Sequence, residues 1–374
     1  MKKKLLFFIL AVMLTIAGCS KITKITDSIT NPSAREIYHR DAKDLMLYEQ
    51  WDKAYAAALT DSLQVPLPYV ENGKFRKNSI AAYSYILEGS EGEVLEATVV
   101  RDSAHHKVFI DLFEYTAQGY RHVDALKPDM QSVEFPIEKS GKYKFVIQPE
   151  INAQTDFAIV LSKKPRYGFP VAGKGNAAIE SFWGYERDGG RRKHEGVDIF
   201  AARGTPVVAV ADGYISNTGD RGLGGKQVWQ RVGTFGNSIY YAHLDGIVAV
   251  AGTKVRKGDT LGFVGSTGNA KGGRPHLHLG IYRNGAVDPL PFIFNIPKPK
   301  IEKKGVSPKF AVAPLKIKSA TANLRLAPTT SSAVVGKLQK NEIIKLLGEH
   351  QEWLHIQTTA GQKAFLHKSL VSSS

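Results

Sequence analysis

Hydrophobic and polar positions along this chain change period several times, and the changes divide it into segments. An apolar run from Leu5 to Ala17 follows Lys2, Lys3 and Lys4. It is too short for a comfortable spanning helix and carries the basic flank of an export signal. Residues 19–32 are mostly polar, have no helical apolar face and read as a tether. Ser33-Ala34-Arg35-Glu36 matches a capping box, after which Leu45, Tyr48, Trp51, Tyr55 and Leu59 recur at helical spacing. A helical segment is therefore expected over 33–61, as one helix running to about Leu59.

From 62 to 163 the period falls to two. Segments 82–87, 94–100, 108–115, 143–147 and 157–161 are short, β-branched or aromatic, and separated by Gly, Ser, Asp or Pro, which predicts a β-sandwich. Residues 165–293 combine many glycines with short Val/Ile/Tyr runs. A Pro/Lys stretch at 294–316 reads as an extended, self-repelling linker. Residues 317–374 again alternate, as a small barrel would. The expected fold class is mainly β, with an N-terminal helical segment. His105-His106 falls in a turn with no nearby carboxylate in sequence and reads as a solvated loop.

Composition adds the compartment. The 374 residues allow two to three domains, with a formal net charge of +15 and one cysteine, so no internal disulfide is possible. Ile16-Ala17-Gly18-Cys19 resembles the bacterial lipobox, which implies removal of residues 1–18 and a lipid on Cys19. Loss of the three N-terminal lysines lowers the charge to about +12. The lipid would make a membrane one partner. Ser20 after the cysteine favours the outer membrane in a two-membrane envelope. A basic envelope protein is drawn to anionic polymers. Nucleic acid is not expected, because no basic stripe interleaved with aromatics is present.

The chemistry lies in the middle. His194 and Asp198 stand four residues apart, His276-Leu277-His278 places two imidazoles on one side of an extended segment, and His243 lies between. Two histidines and a carboxylate form a recurrent set for catalytic zinc, leaving a position for water or substrate. Around them run Ser181-Phe182-Trp183-Gly184, His194-Glu195-Gly196-Val197-Asp198-Ile199, Gly204-Thr205-Pro206-Val207-Val208-Ala209, Gly236-Asn237-Ser238, Tyr241-Ala242-His243-Leu244, Val255-Arg256-Lys257-Gly258-Asp259, Gly265-Ser266-Thr267-Gly268-Asn269 and Pro275-His276-Leu277-His278. This ordered series resembles the lysostaphin/LytM-type zinc peptidases, which cleave peptide bonds in cell-wall peptidoglycan.

The resemblance implies an all-β zinc peptidase core over 165–293. It implies zinc on His194, Asp198 and His278, and catalytic roles for His243 and His276. His276 is favoured as general base and His243 as orienting or oxyanion partner, with exchanged roles left open. Stem or cross-link peptides would be the substrate. Two departures stand out: Gly280 occupies a position where many relatives carry Glu, and the segments 219–231 and 269–274 are longer than in compact relatives. Bond specificity is therefore not inherited. Arg191, Arg192, Lys193 and Arg274 would either meet peptide carboxylates or form an ordinary basic rim.

At the carboxyl end, Ala322-Asn323-Leu324-Arg325-Leu326-Ala327-Pro328, Glu352-Trp353-Leu354-His355-Ile356 and Gly361-Gln362-Lys363-Ala364-Phe365-Leu366-His367 are similar to bacterial SH3-like domains. Trp353 is expected in the barrel core, and the module would tether the chain to wall substrate. The region 33–163 is expected to shield the catalytic groove. Together these readings describe a lipid-anchored zinc endopeptidase of the cell envelope. The alternative is a catalytically silent LytM-like lipoprotein that binds wall or activates an amidase, against which stands the retention of all five key residues.

Overall fold

The computed structural model describes residues 27, 30–103, 105–128, 130–233, 236–300 and 315–373. The expected export signal, Cys19, most of the tether and the centre of the Pro/Lys linker lie outside the described residues. Ser33 opens the first helix as its motif requires. Its hydroxyl accepts the Glu36 amide at 3.1 Å, and its own amide donates to the Glu36 carboxylate at 2.6 Å, starting α1 (Ala34–Asp41). The single long helix does not form. The chain turns at 42–47, exposing Leu45 and Met46, and restarts as α2 (Tyr48–Thr60). The break lets Tyr38 of α1 pack against both Trp51 of α2 and Phe109, at ring separations of 5.3 and 4.9 Å. The buried Trp51 indole donates to the Pro149 carbonyl at 2.8 Å.

Eight strands follow: β1 (Tyr69–Phe75), β2 (Tyr83–Gly89), β3 (Glu93–Arg101), β4 (Val108–Thr116), β5 (Gly119–Ala125), β6 (Ser132–Pro136), β7 (Gly141–Pro149) and β8 (Thr155–Pro165). They make two sheets, ordered β2-β7-β4-β5 and β1-β8-β3-β6. Alternate residues such as Tyr85, Leu112 and Phe145 from the first meet Leu95, Ile159 and Leu161 from the second in one core. The helices cover the outer face of the first sheet, where Val146 packs with Ala58, so β7 is buried on both faces. His106 finds a carboxylate that the sequence did not place beside it: its Nδ1 lies 3.0 Å from Glu150.

The second sheet does not stop at β1. Strand Ile343–His350 pairs with it antiparallel, Asn72 opposite Glu349 and Gly73 opposite Gly348, and carries the sheet into the C-terminal barrel. The contact is tight enough that a Cβ at Gly348 would lie 2.1 Å from the Glu71 carboxylate. Trp353, expected in the barrel core, instead joins Leu347 and Phe365 in the sandwich core, while Leu324, Leu354, Ile356 and Leu366 fill the barrel. The reason is the face it occupies: its strand is buried on both sides, one facing the barrel and one facing β1 and β2. The barrel therefore docks on the sandwich, whatever path the linker takes.

Between these parts in sequence, residues 167–293 build their own core around Val197, Ile199, Tyr241, Leu277 and Leu279. Strands Lys254–Val255, Gly213–Arg221, Gly225–Arg231, Ser238–Leu244, His276–Tyr282, Val197–Phe200 and Ile179–Ser181 lie in that order in one sheet. This unit meets the sandwich where Phe292 packs against Gly92 and Arg283 donates to Glu138 and faces Glu91 at 3.6 Å.

Candidate metal centre

Strand register assembles the site. Asp198 lies directly opposite His278, and His278 is opposite Ala242 on its other side. Leu277 and Leu279 point into the core, so His276 and His278 share the solvent face, as the period of two requires. His194 reaches the same point from the end of the hairpin Glu186–Lys193. His194 Nε2, His278 Nδ1 and Asp198 Oδ1 form a triangle with every side 3.0 Å.

That triangle fits a cation. A tetrahedral zinc with ligands at about 2.0–2.1 Å keeps them roughly 3.3 Å apart, close to the spacing found here. Three ligand-type nitrogen and oxygen atoms converge at this point, an arrangement that a shared cation would satisfy. Among the described residues, these three are the His/Cys/Asp/Glu group able to hold a metal. His194 is oriented from behind by its Nδ1–H, which donates to the Phe182 carbonyl at 2.9 Å and leaves Nε2 for the site. Gly196 makes room for His278, because a Cβ there would sit 2.6 Å from the imidazole. Burial raises the Asp198 pKa, but hydrogen bonds from His194 and His278 outweigh it and hold the carboxyl well below its ordinary range. Burial, partly offset by Asp198, lowers the pKa of His278.

His243 and His276 stand beside the triangle without joining it, their rings 5.0 Å apart and His243 5.8 Å from His278. Strand alternation would send His243 into the core with Tyr241. A left-handed φ of 62° breaks the alternation and turns it to the cleft instead. Such a conformation costs a non-glycine residue about 1–2 kcal/mol, which the surrounding structure must hold. Both imidazoles donate Nδ1–H to backbone carbonyls, His243 to Thr267 at 2.9 Å and His276 to Arg274 at 2.8 Å. Each is therefore left with an Nε2 lone pair. Burial, then the neighbouring His276 and His278, push the His243 pKa down to about 4, so it is neutral in neutral solution.

These residues line a cleft of about 880 Å³. One wall is aromatic, with Trp229 4.5 Å from Tyr240 and 5.3 Å from Tyr282. Lys193 and Arg192, the latter bonded to the Asp188 carboxylate, stand among its basic lining residues, while Leu223, Asn269 and Ala270 come from the two long segments. Arg274 is instead tied to Glu180 and stacked on Phe200, and Arg191 donates to the Asp188 carbonyl. All the described residues lining the cleft lie between 181 and 282, so none of those from 33–163 lines it.

Sequence reasoning missed Arg187. Its guanidinium donates to Asp198 Oδ2 at 2.9 Å and to Ser181 Oγ at 2.6 Å, leaving Oδ1 toward the triangle. Support for the carboxylate thus comes from Arg187. Arg187→Gln should weaken zinc affinity about 10–100-fold, the usual loss for an outer partner of a ligand, with the fold intact. Titration with a zinc chelator as competitor measures it, and unchanged affinity would refute the assignment.

Residues 192–289 match Peptidase family M23, and residues 320–372 match the bacterial SH3 domain. The L-Ala–D-Glu endopeptidase of Bacillus subtilis is 36% identical over 141 residues, covering 34% of this chain and 43% of that protein. The DD-carboxypeptidase/endopeptidase Mpg of Neisseria meningitidis is 39% identical over 142 residues, covering 38% and 31%. The chain thus spans less than half the length of these curated relatives. The catalytic domain of the antimicrobial peptidase lysostaphin from Staphylococcus simulans is a structural neighbour at 33% identity, with a TM-score of 0.28, covering 30% of this chain and 89% of that domain. The chain carries a peptidase family M23 domain that holds the His–Asp–His cluster, followed by a bacterial SH3 domain.

Proposed function

We propose that this chain is a zinc-dependent endopeptidase that hydrolyses peptide bonds in bacterial cell-wall peptidoglycan, held at the envelope by a lipid on Cys19. The observation that carries it is the 3.0 Å triangle of His194, Asp198 and His278, set in an open cleft beside two further imidazoles. Relatives that share the M23 domain are named for cutting L-Ala–D-Glu and DD linkages, which supports wall peptides as substrate.

His194, Asp198 and His278 would hold the ion. Zinc bound there supplies Lewis acidity, which acidifies water and polarises a carbonyl. His276, partly exposed at the cleft, offers its Nε2 as general base for the attacking water. His243, buried and neutral, orients the water or, after protonation, steadies the developing oxyanion. The aromatic wall excludes water from one side of the extended substrate, and Arg192 and Lys193 attract its carboxylates.

Incubating the zinc-loaded full chain with purified peptidoglycan should release peptides that mass spectrometry identifies, and a chelator should stop their release. Wall binding without release in both conditions would favour the silent alternative. In cells, Cys19→Ser should abolish incorporation of labelled palmitate; persistent labelling would refute the anchor.

A further inference from the structure

Among the described residues, strand pairing between barrel and sandwich covers two residue pairs before the strands part. Pairing between β1 and Ile343–His350 ends at Gly73 opposite Gly348. Beyond it, Ile343 and Ile344 pair with the strand Leu315–Ile317, and among the described residues Lys74 and Phe75 keep only β8 as strand partner. The gap is a cavity of about 460 Å³, within the range of small-ligand pockets. Its apolar surface comes from both units, with Phe75 and Tyr83 from the sandwich and Ile344 from the barrel.

Among the described residues, the charged side chains that line the cavity are of one sign. Lys74 and Arg76 from the sandwich and Lys345 from the barrel line the cavity, and no Asp or Glu does among the described residues. Lys74 has a partner outside the lining, Asp156 at 3.4 Å. Lys345 reaches across to the Ile80 carbonyl at 3.3 Å. Burial, then the charge of Lys363, lowers the Lys345 pKa, a cost that an incoming anion would offset. Lys363 itself is bonded to Asp61 at 2.6 Å.

We propose that this junction between sandwich and SH3 domain binds a short extended peptide bearing free carboxylates, at a site separate from the metal cleft. Its carboxylates would meet Lys345 and Lys74, its apolar groups would cover Phe75 and Ile344, and its backbone would run along the unpaired edge of β1. The charge and shape of the cavity argue for an acidic peptide. That the peptide is a wall stem peptide rests on the function proposed above. Docked in this way, the SH3 domain completes a second site rather than acting as a free arm.

The test uses the full chain carrying His278→Ala, so that the probe is not cut. Binding of a fluorescent Ala-Glu-Lys-Ala peptide in stem configuration is measured by anisotropy, against the same peptide with its carboxylates amidated. Amidation should weaken binding about tenfold or more, and so should Lys345→Glu combined with Lys74→Glu, while Lys53→Glu, exposed on α2 and outside both sites, leaves it unchanged. Lys345→Gln, milder for folding, should give a smaller loss in the same direction. Equal affinity for the two peptides, no measurable binding, or loss through Lys53→Glu instead of the cavity variants would overturn the proposal. Failed hydrolysis of peptidoglycan with intact peptide binding would strike the proposed function and leave this site standing.

Discussion

Alanine at His194, Asp198 or His278 is expected to remove bound zinc and peptidase activity together. Each supplies one corner of a triangle whose sides are all 3.0 Å, so no neighbour is placed to replace a lost corner. The loss in affinity should exceed the roughly 10–100-fold typical of outer partners such as Arg187. His243→Ala and His276→Ala should separate the two properties: zinc content near one per chain, with turnover down about 10²–10⁴-fold, the range for a positioned acid or base. Their Nδ1 hydrogens are committed to the Thr267 and Arg274 carbonyls and their rings stand outside the triangle. Elemental analysis of purified variants, beside peptide release from peptidoglycan, reads both quantities. Zinc loss in the His243 or His276 variants equal to that in the ligand variants would collapse the division of roles.

How much of this was legible depends on whether a residue's role is set locally. His276 and His278 were readable because alternation around the core residues Leu277 and Leu279 fixes their face. His243 was not readable that way, since alternation assigns it to the core and only its left-handed backbone turns it out; the ordered motifs alone pointed to it. Arg187 sits with Arg191, Arg192 and Lys193 in one basic turn, and nothing in their spacing says which reaches Asp198.

The fold divides in the same way. Strongly apolar strands such as β4 and β8 announced themselves, whereas β1, reading Tyr-Val-Glu-Asn-Gly-Lys-Phe, hides a strand behind an Asn-Gly pair and a buried acid. The exposed, charge-bearing β5 and the short β6 also lacked a clean alternation. The helix break at 42–47 is a tertiary decision, since it brings Tyr38 back over Trp51. The docking of the barrel left least trace, because its key contact joins residues 284 apart in sequence.

That contact carries the second large effect: Glu71→Ala should destabilise the joined sandwich and barrel by about 3–5 kcal/mol, a large part of an ordinary domain's stability. Glu71 is fully buried, and its carboxylate accepts from Tyr69 at 2.5 Å, Tyr85 at 2.9 Å and His355 Nδ1 at 3.0 Å. Removing it orphans three buried donors at once, each worth about 1–3 kcal/mol. Burial alone would raise the Glu71 pKa, but His355 and the two tyrosine hydroxyls outweigh it and leave the pKa below its ordinary 4.5. A depressed acid contributes stability that is fully present above the unfolded pKa and lost as pH falls through the folded one. Wild type should therefore lose stability on acidification below about 4.5, and the Ala variant should lack this part of the slope. Zinc content should stay unchanged, because the metal cleft rests on a separate core. Denaturant unfolding at several pH values, with protease accessibility of the barrel, measures both. A variant within about 1 kcal/mol of wild type would mean that the docking rests on the two-pair strand contact and its apolar cover instead.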